Sequence, residues 1–300
     1  MSAVFVASGD PDRRQPIEQA DASVELAGIG LPSPVLTASG CAAAGRELDQ
    51  FCDITKLGAI VTKSIMLKPR AGRATPRMSE TPSGRLNSIG LQGPGIDAFI
   101  ENDLVWLNER GAHTIVSIAG ETVEEYGRLA AKLRSSGGFD AIEVNISCPN
   151  VADRGQVFAC RAESAAQVVQ TVARSSDSRI PIFAKLSPDV TDIVEIADAV
   201  IRAGATGLSL INTLLGMVID TTTMRPTLAG TTGGLSGPAI RPVALRCVWQ
   251  VHQAFPTTPI IGMGGIRSGR DALEFLLAGA TAVSVGTAVF HDPSAPSRIH

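Results

Sequence analysis

Residues 190–213 read VTDIVEIADAVIRAGATGLSLINT, and this stretch decides the fold. Its first part, 190–203, has the spacing of an amphipathic helix, and Gly204 is a good residue to stop one. Its second part, Gly207–Thr213, is a short and nearly continuous apolar run. The hinge between them, Ala203–Thr206, reads AGAT and recurs as Ala278–Thr281, again between a helical segment (Arg270–Ala278) and an apolar run (Ala282–Thr287). A helix, a glycine stop and a continuous run, used twice, mark a βα array whose strands are covered on both faces.

Working outward, the same kind of run occurs eight times: Val35–Ser39, Ala59–Ser64, Thr114–Ala119, Ala141–Ser147, Ile182–Ser187, Gly207–Thr213, Pro259–Gly264 and Ala282–Thr287. Thr122–Ser135 supplies another amphipathic helix, with Val123, Tyr126, Leu129, Ala130 and Leu133 on one face. Eight strands alternating with helices over about 260 residues predict a (β/α)8 TIM barrel with its active site at the C-terminal face of the strands. A doubly wound sheet is the competitor, but no Gly-x-Gly-x-x-Gly follows the first run. Residues 1–21, with Pro11 and Pro16 and no apolar period, read as a flexible tail, and 22–300 as a single domain. The long segments Ile65–Phe99 and Leu214–Pro242 both follow strands, so they read as loops over the active face, candidate lids or subunit contacts.

Composition excludes several classes of function. The formal charge of −3 and the 4% aromatic content leave no electrostatic or stacking footprint for nucleic acid. No apolar run reaches the roughly 20 residues of a membrane span, and no signal-peptide core follows Met1, so the expected place is a reducing cytoplasm. The five cysteines (41, 52, 148, 160 and 247) show neither Cys-x-x-Cys spacing nor a disulfide framework.

Polar residues collect where the runs end. The second ends Thr62-Lys63-Ser64, the fourth gives Asn145 and then Cys148, the fifth carries Lys185 and the sixth ends Asn212-Thr213. One lysine at a strand end reads as a side chain snorkelling to water. Two on one barrel mouth, beside two asparagines able to read a cyclic amide edge, read as a binding site for an anion or an electron-rich ring. Gly264-Gly265 and Gly286-Thr287 end the seventh and eighth runs, where this fold holds phosphate on backbone N–H groups. Glycine also serves tight turns, so the pairing of the two loops carries the reading. Cys148, next to Pro149, is open to use as nucleophile, metal ligand or base. No His or Cys stands at ligand spacing and no His partner is evident, which leaves a proton acceptor. Cys41, Cys52 and Cys247 read as inert small hydrophobes, and Cys160 stays open.

The strings LGAIVTKS (57–64), ETPSGRLNSIGLQGPG (80–95), EVNISCPNV (143–151), FAKLSPD (183–189), INTL (211–214), GGLSGPAIRPVALR (233–246), GMGGI (262–266) and SVGTA (284–288) resemble the dihydroorotate dehydrogenases, most closely the catalytic subunits of the NAD-linked class 1B. The likeness runs from about residue 24 to 290. It implies oxidation of dihydroorotate to orotate in pyrimidine synthesis, with FMN at the barrel mouth. By position, Ser39, Lys63, Ser64, Ser117, Asn145, Lys185, Ile211, Gly237, Gly264, Gly265, Gly286 and Thr287 would contact FMN. Ser117 stands where the family commonly has asparagine. Lys63, Asn87, Ile89, Gly90, Leu91, Asn145, Asn212 and Thr213 would meet the orotate, and Cys148 would be the base.

The resemblance also implies a pair of catalytic chains and a second subunit bearing FAD and a [2Fe–2S] cluster that passes electrons to NAD. It further implies a final helix cut short at His300. Three rivals remain at this stage: a dihydropyrimidine dehydrogenase-like flavoprotein acting on uracil or thymine, a flavin-free phosphate-binding lyase or isomerase, and a catalytically dead structural partner, against which Lys63, Cys148 and both asparagines speak.

Overall fold

The computed structural model of the chain describes residues 21–146 and 161–300. Residues 1–20 of the expected tail, Cys148 and Cys160 lie outside the described residues. In chain order the first strands are β1 (Val24–Leu26), β2 (Ile29–Leu31), β3 (Val35–Thr37), β4 (Ile60–Val61), β5 (Met78–Thr81), β6 (Gly84–Asn87), β7 (Thr114–Ile118) and β8 (Ala141–Asn145). There follow β9 (Ile182–Leu186), β10 (Gly207–Leu210), β11 (Leu214–Gly216), β12 (Ile219–Asp220), β13 (Arg225–Pro226), β14 (Gly233–Ser236), β15 (Ile260–Met263) and β16 (Ala282–Val285). The helices are α1 (Ile96–Ala98), α2 (Val105–Arg110), α3 (Val123–Ser136), α4 (Ala162–Ser175), α5 (Ile193–Arg202), α6 (Arg241–Ala254), α7 (Gly269–Leu277) and α8 (Ala295–Ile299). A π-helical stretch, Phe99–Leu104, joins α1 to α2.

Each of the eight expected runs contains a strand, and the eight form one parallel sheet in the order β3-β16-β15-β10-β9-β8-β7-β4. Gly58 N–H donates to Val35 O at 2.8 Å and Thr37 N–H to Ala59 O at 3.1 Å, which closes β3 onto β4 and completes the barrel. The AGAT hinges behave as twins. In each, the glycine has a positive φ (Gly204 110°, Gly279 107°), and the threonine N–H joins the neighbouring strand at Ile182 O or Ile260 O. The threonine Oγ1 then accepts the N–H of Ile182 or Ile260. Three helix starts are capped by side chains: Thr122 for α3, Asp192 for α5, and a reciprocal Ser268–Asp271 box for α7.

Two apolar layers result. One lies between strands and helices. The other fills the barrel with Leu36, Ala59, Val61, Ile115, Ala141, Phe183, Ile261, Met263 and Ala282. The β1–β2 hairpin turns through Ala27 and Gly28, both at positive φ, and adds Leu26 and Leu31 to that interior cluster. It thus plugs the end of the barrel opposite the active face.

The two long segments after β4 and β10, read as loops over the active face, contain strands. They contribute β5, β6, β11 and β14 to one antiparallel sheet, ordered β11-β14-β6-β5, that roofs the barrel mouth. The last helix is the short α8, whose Ala295, Pro296 and Ile299 are buried; His300 Nδ1 and Ser33 Oγ beyond it are 2.7 Å apart. No helix among the described residues is long and apolar enough to cross a membrane.

Candidate active site

Side chains alternate along a strand, so the interior layer fixes what stands above it. Ile115, Ala141 and Phe183 point into the barrel, and two residues on in each strand Ser117, Glu143 and Lys185 point inward as well. All three are buried. Glu143 Oε1 accepts from Ser117 Oγ at 3.0 Å and from Lys185 Nζ at 3.4 Å. Ser117 Oγ also shares a hydrogen bond with Ser64 Oγ at 2.9 Å, and Ser64 with Ser39 at 3.3 Å. Asn145 Nδ2 donates to Ser64 Oγ at 2.9 Å, and Asn212 Nδ2 to Asn145 Oδ1 at 3.4 Å. Tyr126 OH holds the Asn145 carbonyl at 2.8 Å. One polar network therefore runs from six strand ends to a common floor.

Above this floor is a cavity of about 1060 Å³. Its volume lies at the top of the usual span for small-molecule sites, roughly 300–1,000 Å³, so it has room for a cofactor and a substrate together. Ser39, Lys63, Ser64, Asn145, Lys185, Ile211, Gly237, Gly264, Gly265, Gly286 and Thr287 all line it. So do Asn87, Ile89, Gly90, Leu91, Asn212 and Thr213. Ser117 does not: it sits under the cavity, held between Ser64 and Glu143. In this position its hydroxyl supports Ser64 from below.

The roof sets the other wall. Met78, Glu80, Arg85, Asn87 and Ser236 share one face of the antiparallel sheet, by register, and all line the cavity. Asn87 Nδ2 donates to Gly234 O at 3.3 Å. The opposite face carries the leucine row Leu86, Leu235 and Leu214. Ser236 Oγ accepts from Thr287 Oγ1 at 2.7 Å, which ties the roof to the end of β16. Gly237 has φ 99°, and a Cβ there would stand 2.8 Å from Gly84 Cα, so only glycine lets these two turns touch.

The glycine edge fits a phosphorylated ring cofactor. A Cβ at Gly286 would meet only Ala38 Cβ at 3.4 Å and Cys41 Sγ at 3.5 Å, so its backbone is open to a close approach. Ser284 lines the same cavity, and its buried Oγ has no partner among the described residues. The other orphaned oxygens of this interior include Glu143 Oε2 and Ser209 Oγ.

Three residues escaped the sequence reading. Glu143 was legible in principle, since Asn145 facing inward forces the residue two places back to do the same. Arg85 lay in a quoted string without a role. Cys41, read as inert, lines the cavity; burial pushes its thiol up to about 11, against the opposing pull of Lys185, Lys63 and Arg85, so it stays protonated at neutral pH. Cys247 and Cys52 are also pushed up by burial and line no part of the cavity.

A family model described as dihydroorotate dehydrogenase matches residues 21–300. A protein of Geotalea daltonii named "Dihydroorotate dehydrogenase B (NAD(+)), catalytic subunit" is 57% identical over 279 residues, 93% of this chain and 90% of that one. Proteins of the same name from Desulforamulus reducens and Geobacter sulfurreducens are 53% and 52% identical, over 92% and 94% of this chain and 90% and 92% of their own. A crystal structure of DHODH from Eimeria tenella, solved with ferulenol, superposes with a TM-score of 0.78 at 23% identity, over 97% of this chain and 84% of that one, and speaks to the fold. On the match along its whole described length, the chain belongs to the dihydroorotate dehydrogenase family.

Proposed function

We propose that this chain oxidises dihydroorotate to orotate in pyrimidine biosynthesis, as the catalytic subunit of an NAD-linked enzyme. The observation that carries this reading is the convergence of Lys63, Lys185, Asn87, Asn145 and Asn212 on one cavity edged by Gly264, Gly265, Gly286 and Thr287, in a chain more than half identical to relatives bearing that name. FMN is the cofactor we assign. When bound, it supplies the acceptor for the hydride leaving C6 of the substrate.

The chain's own residues do the rest. The amide groups of Asn87, Asn145 and Asn212 supply donors and acceptors for the ring amides, and Asn145 and Asn212 already orient each other. Lys63 offers an ammonium to the substrate carboxylate and to negative charge developing on the ring. Lys185, fixed by Glu143, offers a positive charge from the floor to the cofactor ring. Cys148, outside the described residues, takes the C5 proton as a thiolate. Roof and floor together keep water from the reacting atoms.

Electrons must then leave the chain. It has no dinucleotide fingerprint and no clustered cysteines, so we assign FAD and a [2Fe–2S] cluster to a partner subunit, and pair two catalytic chains in a cytoplasmic heterotetramer.

The test is anaerobic: the purified yellow chain is scanned before and after dihydroorotate is added. Bleaching near 450 nm (a general property of flavin) supports the reading, and an unchanged spectrum refutes it. Uracil separates the rival, because the orotate carboxylate adds a charge-assisted contact that favours orotate by about tenfold to a hundredfold. Cys148→Ala should keep the cofactor and slow the bleaching by at least about a hundredfold, the usual scale for a lost general base. Alone, the chain should reduce dyes but not NAD.

A further inference from the structure

We propose that Arg85 anchors the terminal phosphate of the bound flavin and makes the cavity select phosphorylated over unphosphorylated flavin. The inference rests on the flavin reading above and adds a side-chain cation to a cradle otherwise made of backbone.

Three observations locate the guanidinium. Arg85 shares its strand face with Asn87, one two-residue repeat away, about 7 Å along the strand. Asn87 lies toward the ring-binding end, so Arg85 lies toward the other. In register, Arg85 stands opposite Ser236, whose Oγ is held 2.7 Å from Thr287 Oγ1 at the end of β16. The guanidinium carbon then lies 4.9 Å from the centroid of the Phe290 ring, just beyond Thr287. The side chain is thus pinned between the roof and the Gly286–Thr287 turn.

Its charge is available there. Arg85 keeps 16% of its side-chain exposure, and its one ion-pair partner among the described residues, Glu80 at 3.7 Å, is itself 82% exposed. Such a pair is weak and gives way to a better anion. The other cations around this cavity are engaged elsewhere or out in solvent. Arg70 pairs with Glu121, Lys185 with Glu143, Lys63 is assigned to the substrate carboxylate, and Arg267 and His291 are exposed. A phosphomonoester brings about two negative charges and three acceptor oxygens, which a guanidinium fork matches better than an ammonium does. Stacking on Phe290 holds the fork in place before the ligand arrives, so little side-chain freedom is lost on binding.

The experiment compares FMN with riboflavin on the flavin-stripped full chain, following flavin fluorescence in a titration. Arg85→Met keeps the length and the packing on Phe290, and should weaken FMN by about tenfold to a hundredfold while leaving riboflavin within about twofold of the parent. Arg85→Lys keeps the charge without the fork and should fall between the two, which guards against a folding defect in the first variant. Equal losses for both flavins would overturn the inference, because Arg85 would then only shape the wall. So would an unchanged FMN affinity in Arg85→Met. A parent chain that binds neither flavin would instead remove the flavin reading itself.

Discussion

Lys185 and Arg85 face the same cavity from opposite sides, and they are held in opposite ways. Lys185 stands in the middle of a parallel barrel, in register with Asn145 and Ser209 on its two neighbours, and is 4% exposed. Arg85 stands on a sheet made by two crossing connections. A charge in the floor needs an internal counterion, and Glu143, with no exposure at all, provides it. A charge in the roof is served by water and an aromatic face. The floor therefore fixes position at the expense of stability, whereas the roof keeps freedom to admit ligands.

The largest break should come from the floor. Lys185→Ala leaves the Glu143 carboxylate buried and unpaired, which should cost about 3–5 kcal/mol in urea unfolding. A double variant, Lys185→Met with Glu143→Leu, should recover most of that loss while still failing to reduce flavin with dihydroorotate. A single variant as stable as its parent would mean that the lysine merely snorkels to solvent.

The roof should give way separately. Leu86→Ala empties the buried end of the leucine row and should cost about 3 kcal/mol. Because the roof touches the barrel mainly through its edges, hydrogen exchange should quicken in β5, β6, β11 and β14 and stay slow in β9 and β10. Uniform acceleration across both would show that roof and barrel open as one unit.

This contrast also explains what the sequence made legible. The barrel strands are written locally: IFAKL at 182–186 and AIEVN at 141–145 are continuous runs closed by glycine or polar stops. Their order follows from right-handed βα connection alone. The roof strands MSET, GRLN, LLG and GGLS are short, half polar and rich in glycine. What makes them strands is pairing between segments far apart in the chain, such as Leu86 with Leu235, and no local period records that. The same limit applies to the site. Residues at barrel strand ends were found from position, while Arg85 and Cys41 needed the roof and the first βα turn to be in place.

The joint between the two regions is Gly237. Its φ of 99° belongs to glycine, and a methyl group there would meet the Gly84 backbone at 2.8 Å. Gly237→Ala should cost about 2 kcal/mol. It should also move Ser236 off Thr287, weakening FMN more than it disturbs the barrel, as fluorescence titration and circular dichroism would report. Full FMN affinity in this variant would mean that the cradle does not depend on the roof.

The smallest effect is a pH dependence at the same junction. Cys41 lies beside Gly286, and burial raises its thiol above the ordinary 9.0 to about 11, with Lys185, Lys63 and Arg85 pulling the other way. The folded chain therefore holds this proton more tightly than the unfolded chain does. The stability it contributes is full below pH 9 and is lost as pH rises toward 11. By pH 10 the flavin-free parent should have lost about 1 kcal/mol that Cys41→Ala does not lose. Urea midpoints of the two, taken at half-unit steps from pH 8 to 11, would read this directly. In Lys185→Met with Glu143→Leu, one of the cations that lowers the thiol is gone, so the parent-minus-alanine difference made in that background should begin at the same pH, grow larger and level off at higher pH. Parallel curves for the parent and Cys41→Ala would place the thiol in contact with water, and the wall between β3 and β16 would then be open rather than packed.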